Sequence, residues 1–236
     1  MTDGPASGTL DEPQVQAMFD RIAGVYDRMN SVMTAGLHHR WRARAADLAQ
    51  VAAGADVLDV ATGTGDLAIE LLERVGPQGR VIGSDFSQGM LDLARVKDPR
   101  ITWEQANALD LPYDTDRFDA VTVGFGARNF ADLDAGLGEM TRVARPGGHV
   151  VVLEITTPTR PPLSNFYSAW FDRVVPLIGR IAGDSDAYTY LPNSVKRFPG
   201  PHELAQRLAA AGLQDVHYLL TAGGIIAIHA GRKPEA

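Results

Sequence analysis

The fold is decided by the stretch 57–68, which reads VLDVATGTGDLA, and by Asp85, which ends the next apolar run. The first residues of the stretch are typical of a buried parallel strand, and Gly63 and Gly65 allow a turn that brings backbone close to a ligand. An acid about twenty residues further on lies where two hydrogen bonds can hold a ribose diol. The layout predicts a nucleoside pocket.

Two departures from a dinucleotide-binding turn restrict the class of ligand that the pocket is expected to bind. Asp59 lies inside the first strand, and Ala68 stands where such a turn has its third glycine. A pyrophosphate favours the full three-glycine turn, whereas a smaller cationic cofactor tolerates an acid nearby. We expect Asp59 either to offset the charge of such a cofactor or to brace the loop as a buried acid, and the residues alone leave both roles open.

Composition restricts the class of protein. The 236 residues are 45% hydrophobic and 22% charged, which fits one domain over 1–236. The net charge of −7, with acids spread along the chain, argues against a nucleic-acid partner. The absence of cysteine excludes disulfides and thiolate chemistry and fits a cytoplasmic protein. We expect residues 1–12 to be disordered, and no apolar run suggests a membrane span or export signal.

Apolar runs alternate with helical patterns, which predicts βαβ units and a parallel sheet. A terminal β-hairpin would add an antiparallel edge to that sheet. The predicted strands are Val57–Ala61, Arg80–Asp85, Ile101–Gln105, Phe118–Val123, His149–Ile155, Val216–Leu220 and Ile225–Ala230. The predicted helices are Asp66–Arg74, Ser87–Arg95, Asp132–Ala144 and Pro201–Ala211, with Ser87 and Asp132 as N-caps.

Two segments, 13–50 and 156–200, lie outside this alternation and are predicted to be lids over the pocket. The first is helical at its start. The second contains an aromatic stripe at helical spacing, which fits core packing or the wall of a ligand site. The stripe consists of Phe166, Tyr167, Trp170 and Phe171.

Several motifs together resemble a known enzyme class. The glycine turn, Asp85, the segment 105–112 (QANALDLP) and the segment 145–148 (RPGG) are similar to class I S-adenosylmethionine (SAM)-dependent methyltransferases. The segments 125–129 (FGARN), 26–30 (YDRMN), 188–191 (YTYL) and 221–224 (TAGG) resemble the family that C-methylates menaquinone and ubiquinone precursors. The resemblance covers about 19–233 and implies a Rossmann-like, doubly wound α/β fold with a mostly parallel seven-stranded sheet and helical lids.

The resemblance also implies which residues bind SAM. Besides Asp59, Asp85 and the two glycines of the turn, it assigns the cofactor to Thr64, Asn107, Ala108 and Gly124. A small hydroxyl residue is common in the family at the position of Gly124, so this chain can contribute only backbone there. Asn107 fits adenine binding or a turn, and Asp85 fits a ribose contact or a helix cap.

The implied reaction is methyl transfer to a ring carbon of demethylmenaquinol, a prenylated naphthoquinol. Such a reaction requires one activated phenol and one proton acceptor. The candidate catalytic residues are Arg128, Asp27 and Tyr190. Arg128 would act by charge or through a water, and its alternative role is a salt bridge to a lid acid; Asp27 fits catalysis or the cap of a helix break before Met29.

Other acceptors and partners stay open. The same fold could methylate a ubiquinol precursor or another small molecule, and a non-catalytic nucleotide-binding protein is the distant alternative. No spacing of the six histidines brings three metal ligands together, so no metal site is predicted. The basic segment around His39 and Arg40 fits a solvated helix face or transient contact with anionic lipid on the inner face of the membrane. A homo-oligomer is compatible with the sequence, which is silent on it.

Overall fold

The computed structural model describes residues 12–158, 161 and 185–235, and within them a seven-stranded sheet forms the centre of the molecule. Its order is β3-β2-β1-β4-β5-β7-β6. The strands β1 to β5 run parallel, and β7 is antiparallel to both β5 and β6. The strands are β1 Asp56–Val60, β2 Arg80–Asp85, β3 Thr102–Gln105, β4 Phe118–Gly124, β5 Ala144–Ile155, β6 Gln214–Thr221 and β7 Ile226–Arg232. The predicted doubly wound α/β sheet with its terminal hairpin is confirmed.

Helices follow the strands in the predicted order, and the predicted caps are present. Ser87 accepts a hydrogen bond from the backbone N–H of Met90, and Asp132 accepts one from that of Ala135. Each of these side chains satisfies a helix N–H that has no partner within the helix. The helices are α1 Glu12–Thr34, α2 Leu37–Leu48, α3 Asp66–Val75, α4 Gln88–Lys97, α5 Leu133–Val143, α6 Ser185–Arg197 and α7 Pro201–Ala210.

The core lies on both faces of the sheet, as expected for parallel strands covered by helices. On one face, α2, α3 and α4 pack on the sheet; Leu71, for example, is fully buried there. On the other face, α5 and α7 cover the sheet through side chains such as Leu137 and Leu208. The carboxyl ends of β1 to β4 lie between these two helical layers, and neither layer covers them.

Three expectations for the ends and lids need correction. Glu12, predicted to be disordered, is the first residue of α1. The helix continues without a break through Met29, so Asp27 caps no helix break and lies mid-helix instead. The strand β5 begins at Ala144, which pairs with Phe118 of β4; the segment 145–148 bulges out of the register, and pairing resumes at His149, opposite Ala120.

Part of the second lid lies outside the described residues. This includes the aromatic stripe 166–171, so the choice between core packing and a ligand wall stays a prediction. The described end of this lid is α6, whose Tyr190 and Val195 pack with Val15 and Met18 of α1. Among the described helices, none is both long enough and apolar enough to cross a membrane.

Candidate active site

A cleft of about 850 Å³, open to solvent at its mouth, lies at the carboxyl ends of β1 to β4. This is the edge at which open parallel sheets bind their ligands. Its floor is the glycine turn with the residues after β2, β3 and β4, and α1 and α2 form one wall. The lining includes Phe19, Tyr26, Arg42, Gly63, Thr64, Asp66, Asp85, Asn107, Ala108, Gly124, Phe125 and Asn129.

The two glycines of the turn serve different purposes. Gly63 has φ +58°, lines the cleft and has open space where a Cβ would stand. Gly65 has φ +87° and faces Trp103 of β3, whose ring would lie 2.3 Å from a Cβ there. Gly83 of β2 faces the same ring, at 2.4 Å. Gly65 does not line the cleft, so its predicted contact with the cofactor stays a prediction, and its observed role is packing.

Asp85 is buried at the end of β2, with its carboxylate at the cleft. One oxygen accepts the Gly63 N–H at 2.8 Å, and the other accepts the Ser87 N–H at 2.9 Å. Burial raises the pKa of this carboxyl to about 6, although both N–H donors favour the charged form. Each carboxylate oxygen retains a second lone pair, which can accept a ribose hydroxyl. The geometry therefore supports the predicted ribose contact.

Asp59 lies beneath the glycine turn, where it acts as a brace. Its two oxygens accept hydrogen bonds from the hydroxyls of Thr62 and Thr122, each at 2.6 Å. Burial raises its pKa to about 6. Asp59 does not line the cleft, and its observed contacts fit the role of a buried acid that braces the loop. Its effect on the charge of a cationic cofactor stays a prediction.

The remaining predicted cofactor residues line the cleft. Asn107 and Ala108 follow β3, and Asn107 Oδ1 accepts the Leu109 N–H at 2.9 Å, which makes the anticipated turn. Gly124 ends β4, and a Cβ there would lie 3.0 Å from Leu67. The structure thus brings Gly63, Thr64, Asp85, Asn107, Ala108 and Gly124 to one cleft.

Asp27 joins α1 to the glycine turn. One of its oxygens accepts the Thr64 hydroxyl at 2.6 Å, and the other contacts Lys97 Nζ at 2.7 Å. Lys97 also contacts Asp66 at 2.7 Å. Both oxygens of the Asp27 carboxylate are therefore engaged by neighbouring side chains. Its predicted catalytic role stays a prediction, and its observed contacts fix the lid.

Arg128 is buried beside the cleft and does not line it. Its Nη1 contacts Glu154 Oε1 at 2.7 Å and also donates to the Phe125 carbonyl. Burial disfavours the charge of the guanidinium, but Glu154 together with Tyr26 and Tyr190 outweighs that effect, so the pKa of Arg128 is raised. The partner is thus an acid at the end of β5, not a lid acid as the alternative interpretation of the sequence held. Among the described residues, the Arg128 Nε atom is buried without a hydrogen-bond partner.

Tyr190 reaches the cleft indirectly. Its hydroxyl donates to Asn129 Oδ1 at 3.1 Å, and Asn129 lines the cleft next to Arg128 in sequence. Burial raises the pKa of Tyr190, whereas Arg128 lowers it to a smaller extent. A Tyr190 held neutral at physiological pH orients the Asn129 amide and is a poor proton acceptor.

Sequence reasoning missed several residues of the site. Arg42 belongs to the basic segment around His39 and Arg40, which was considered only as a solvated helix face or a lipid contact, and Glu154 was not considered. A single acid in the otherwise apolar end of β5 is a signal that could have identified Glu154, because buried charges require partners. Asp66 began a predicted helix and Phe125 began a family motif, but neither was assigned to the site, since only the tertiary fold brings them to the cleft.

A histidine cluster near α2 differs from expectation. His38, His39 and Asp66 bring three ligand atoms within 4.8 Å of one another, although the sequence predicted no such meeting. The Arg42 guanidinium donates to His38 Nδ1 and lies 3.3 Å from Asp66. Burial, and then Arg42, lower the pKa of His38 to about 4. A fixed cation thus contacts two of the three groups, which opposes the binding of a metal ion.

A sheet of this order, with a glycine turn after β1 and an acid after β2 around one cleft, defines a class I SAM-dependent methyltransferase fold. The residues present fit that cofactor, because the ionisable Asp85 faces open space beside Gly63 and a turn follows β3. The model of the ubiE/COQ5 methyltransferase family matches residues 8–233. The chain belongs to this family.

Individual relatives agree with this assignment. A demethylmenaquinone methyltransferase of Thermus thermophilus is 46% identical over 222 residues, which cover 92% of this chain and 100% of that protein. The ubiquinone/menaquinone biosynthesis C-methyltransferase UbiE of Geobacter sulfurreducens is 41% identical over 226 residues, which cover 93% of this chain and 88% of that protein. A solved SAM-dependent methyltransferase of Thermotoga maritima has a TM-score of 0.66 at 18% identity, covering 92% of this chain and 99% of that one, and shows the likeness of fold.

Proposed function

We propose that this protein transfers a methyl group from SAM to a ring carbon of demethylmenaquinol, giving menaquinol as the last step of menaquinone biosynthesis. One observation carries the proposal: the match to a demethylmenaquinone methyltransferase runs over 92% of the chain at 46% identity. Family membership argues against the distant alternative of a non-catalytic nucleotide-binding protein, because the family consists of methyltransferases.

The chemistry asks mainly for positioning. When bound, SAM supplies a methyl carbon already activated by its sulfonium, so the protein has to align the acceptor carbon with it. A hydroquinone carbon becomes nucleophilic when the adjacent hydroxyl is deprotonated or strongly hydrogen-bonded, and the ring must later lose a proton. The residues around the cleft therefore have to hold one phenol oxygen and provide an exit for one proton.

The group of Asn129, Tyr190 and Arg128 is our candidate for that task. Asn129 lines the cleft, and Tyr190 occupies its Oδ1, which directs the amide N–H donors elsewhere. Those donors can hold the phenol oxygen of the acceptor. Arg128 precedes Asn129 in sequence and places a buried positive charge beside the cleft. Its side chain is held in position by Glu154.

A ubiquinol precursor is the second candidate acceptor. The observation that favours it is the match to the UbiE protein of Geobacter sulfurreducens, whose name covers both quinones, at 41% identity. The geometry of the cleft does not discriminate between the two quinol rings, because the described lining residues could contact either planar phenol in the same way. The two acceptors therefore have to be compared directly.

Label transfer to the two acceptors tests the proposal. The purified protein is incubated with methyl-labelled SAM and either reduced demethylmenaquinone or a demethylated ubiquinol precursor, and label is followed into the lipid fraction. We expect label in the naphthoquinol. Label in both would indicate a dual-pathway enzyme. Label in neither, with cofactor binding intact by calorimetry, would refute the quinol assignment.

We also infer transient contact between the α1–α2 corner and anionic lipid, because the acceptor carries a prenyl chain. Val32 and Leu37 are exposed there at 69% and 42%, and the exposed Arg28 and Arg40 lie on the same two helices. Exposed apolar side chains beside cations suit an anionic membrane surface.

Flotation with liposomes tests this contact. We expect the protein to float with vesicles that contain anionic lipid and to lose this behaviour when Val32→Asp and Leu37→Asp are combined. The matched control is Val96→Asp, an exposed apolar residue of α4. Equal flotation with neutral and anionic vesicles, or none with either, would contradict the inference.

A further inference from the structure

Partly buried apolar side chains of α1 and α2 lead away from the cleft. Tyr26 of α1 lines the cleft, and Met29 and Met33 follow it at spacings of three and four residues. These spacings place the three side chains on one face of the helix. On α2, the ring of Trp41 meets the ring of Phe125, which lines the cleft, edge to face with centroids 6.5 Å apart.

Two isoleucines join the apolar side chains of α1 to those of α2. Ile155 ends β5 and Ile225 precedes β7. Each packs against the apolar cluster that Trp41 adjoins, and each also packs against the cluster that Met29 and Met33 adjoin. The two isoleucines therefore lie between the two helices. We call the whole set the apolar strip; it consists of Tyr26, Met29, Met33, Trp41, Ile155 and Ile225.

The apolar strip has one end at the cleft and the other at the surface. At the inner end, Tyr190 belongs to the cluster against which Met29 packs, and its hydroxyl donates to Asn129. At the outer end, Val32 and Leu37 are exposed at 69% and 42%. From residue 26 to residue 33 the helix rises about 10 Å, which suits about two isoprene units.

We propose that the apolar strip binds the isoprenoid chain of the acceptor. The assignment rests on the proposed function. In demethylmenaquinol, the ring carbon that accepts the methyl group is adjacent to the carbon that carries the chain. A ring held by the Asn129 amide therefore has its chain at the inner end of the strip. Because the chain is a hydrocarbon, contact with methionine and isoleucine side chains removes its surface from water.

The two ends of the strip make the isoprenoid chain a better occupant than a small apolar molecule. The strip continues from the lining of the cleft at Tyr26, so a ligand can occupy both at once. It ends at the α1–α2 corner, where we infer contact with lipid, so the remaining isoprene units can stay in the membrane. Methionine side chains are unbranched and adaptable, which suits a flexible chain.

Packing of α1 on its neighbours also explains the contacts within the strip. A strip that only packs would affect acceptors of every chain length alike. A binding site affects only acceptors whose chain reaches it. The length of the isoprenoid chain therefore distinguishes the two roles.

Steady-state methylation of reduced demethylmenaquinones with one, two, three and four isoprene units, at a fixed detergent concentration, tests the proposal. We expect kcat/KM to rise roughly tenfold or more from one unit to three, because each unit buries more apolar surface. The value should then level off, because later units lie beyond the corner. Farnesol, a three-unit chain without the ring, should compete with the three-unit acceptor and leave the affinity for S-adenosylhomocysteine unchanged.

A variant of the outer part of the strip provides the second arm. Met33→Gln combined with Ile225→Thr should lower kcat/KM for the three-unit acceptor by roughly tenfold and change that for the one-unit acceptor by less than about twofold. The matched control is Leu93→Gln, an exposed apolar residue of α4 outside the strip, which should leave both values unchanged.

Several results would overturn the proposal. A kcat/KM that is independent of chain length, or that rises with every added unit as partition into micelles does, would refute it; the acceptors would still be methylated, so the proposed function would stand. An equal loss for both acceptors in the double variant would reduce the strip to a packing contact. Methylation of none of the acceptors would refute the proposed function together with this inference. If the double variant does not fold, the chain-length series and the farnesol competition still decide, since both use the unaltered protein.

Discussion

Replacing Glu154 by alanine should lower the free energy of unfolding by about 3–5 kcal/mol, because it leaves the Arg128 charge buried without a partner. The side chains of Arg128 and Glu154 are 7% and 1% exposed, so bulk solvent does not screen the guanidinium in the folded protein. Glu154 also accepts the backbone N–H groups of Ile155 and Arg128, which the substitution would leave unsatisfied. For a chain of this size the melting temperature should fall by roughly 6–20 °C in a calorimetric scan.

The control for this prediction is an exposed ion pair. Glu203 lies 2.8 Å from Arg207 on α7, with both side chains partly exposed, and Glu203→Ala should change stability by less than about 1 kcal/mol. Replacing both partners, as in Arg128→Met with Glu154→Leu, should recover part of the loss, because two apolar groups leave no buried charge, whereas the backbone N–H groups of residues 128 and 155 still lack their acceptor. A loss in Glu154→Ala no larger than that in Glu203→Ala would contradict the prediction.

Replacing Asp85 by asparagine should reduce the affinity for S-adenosylhomocysteine by roughly a hundredfold or more, since two charge-assisted hydrogen bonds to the ribose are lost or weakened. The amide NH₂ of the new residue would also face either the Gly63 N–H or the Ser87 N–H, which the carboxylate now accepts. Titration calorimetry measures the effect. The matched control is Asp92→Asn, an exposed acid of α4 outside the cleft, which should bind as the unaltered protein does.

The pH dependence of binding separates this role from a structural one. Because burial raises the pKa of Asp85 to about 6, the carboxyl is ionised above that pH and protonated below it. The unaltered protein should therefore lose affinity as the pH falls through about 6, whereas Asp85→Asn should lose little further. The same shift means that folding binds a proton between pH 3.8 and 6, so the contribution of this acid to stability decreases as the pH rises through that window. A pH-independent affinity in the unaltered protein would argue against the ribose contact.

Features with local causes could be predicted from the sequence. The strand before the glycine turn, the acid at the end of β2 and the caps at Ser87 and Asp132 each depend on a few adjacent residues. The sequence therefore predicted β2 to the residue, and it predicted the ends of most other elements to within one or two residues. The resemblance to a known family then supplied Asn107 and Ala108, which have no comparable local signal.

Features that depend on distant contacts could not be predicted in this way. Arg128 and Glu154 are 26 residues apart, and Asp27 and Thr64 are 37 apart. Each pair forms only when two elements pack in a particular register. The length of α1 also exceeded prediction, because contacts with α4 such as that of Asp20 with the Gly89 N–H support it along its length. Tertiary packing thus stabilised a helix that its own sequence only partly indicated.

Trp103 has a consequence for how this site can change during evolution. Its ring lies where a Cβ of Gly65 or Gly83 would stand, so one side chain on β3 restricts the residue at two positions, one in the glycine turn and one on β2. Alanine at 83 becomes acceptable only after position 103 has become smaller, whereas position 65 still requires φ +87° and so favours glycine even then. Positions 83 and 103 are therefore expected to covary, while position 65 should vary less than either.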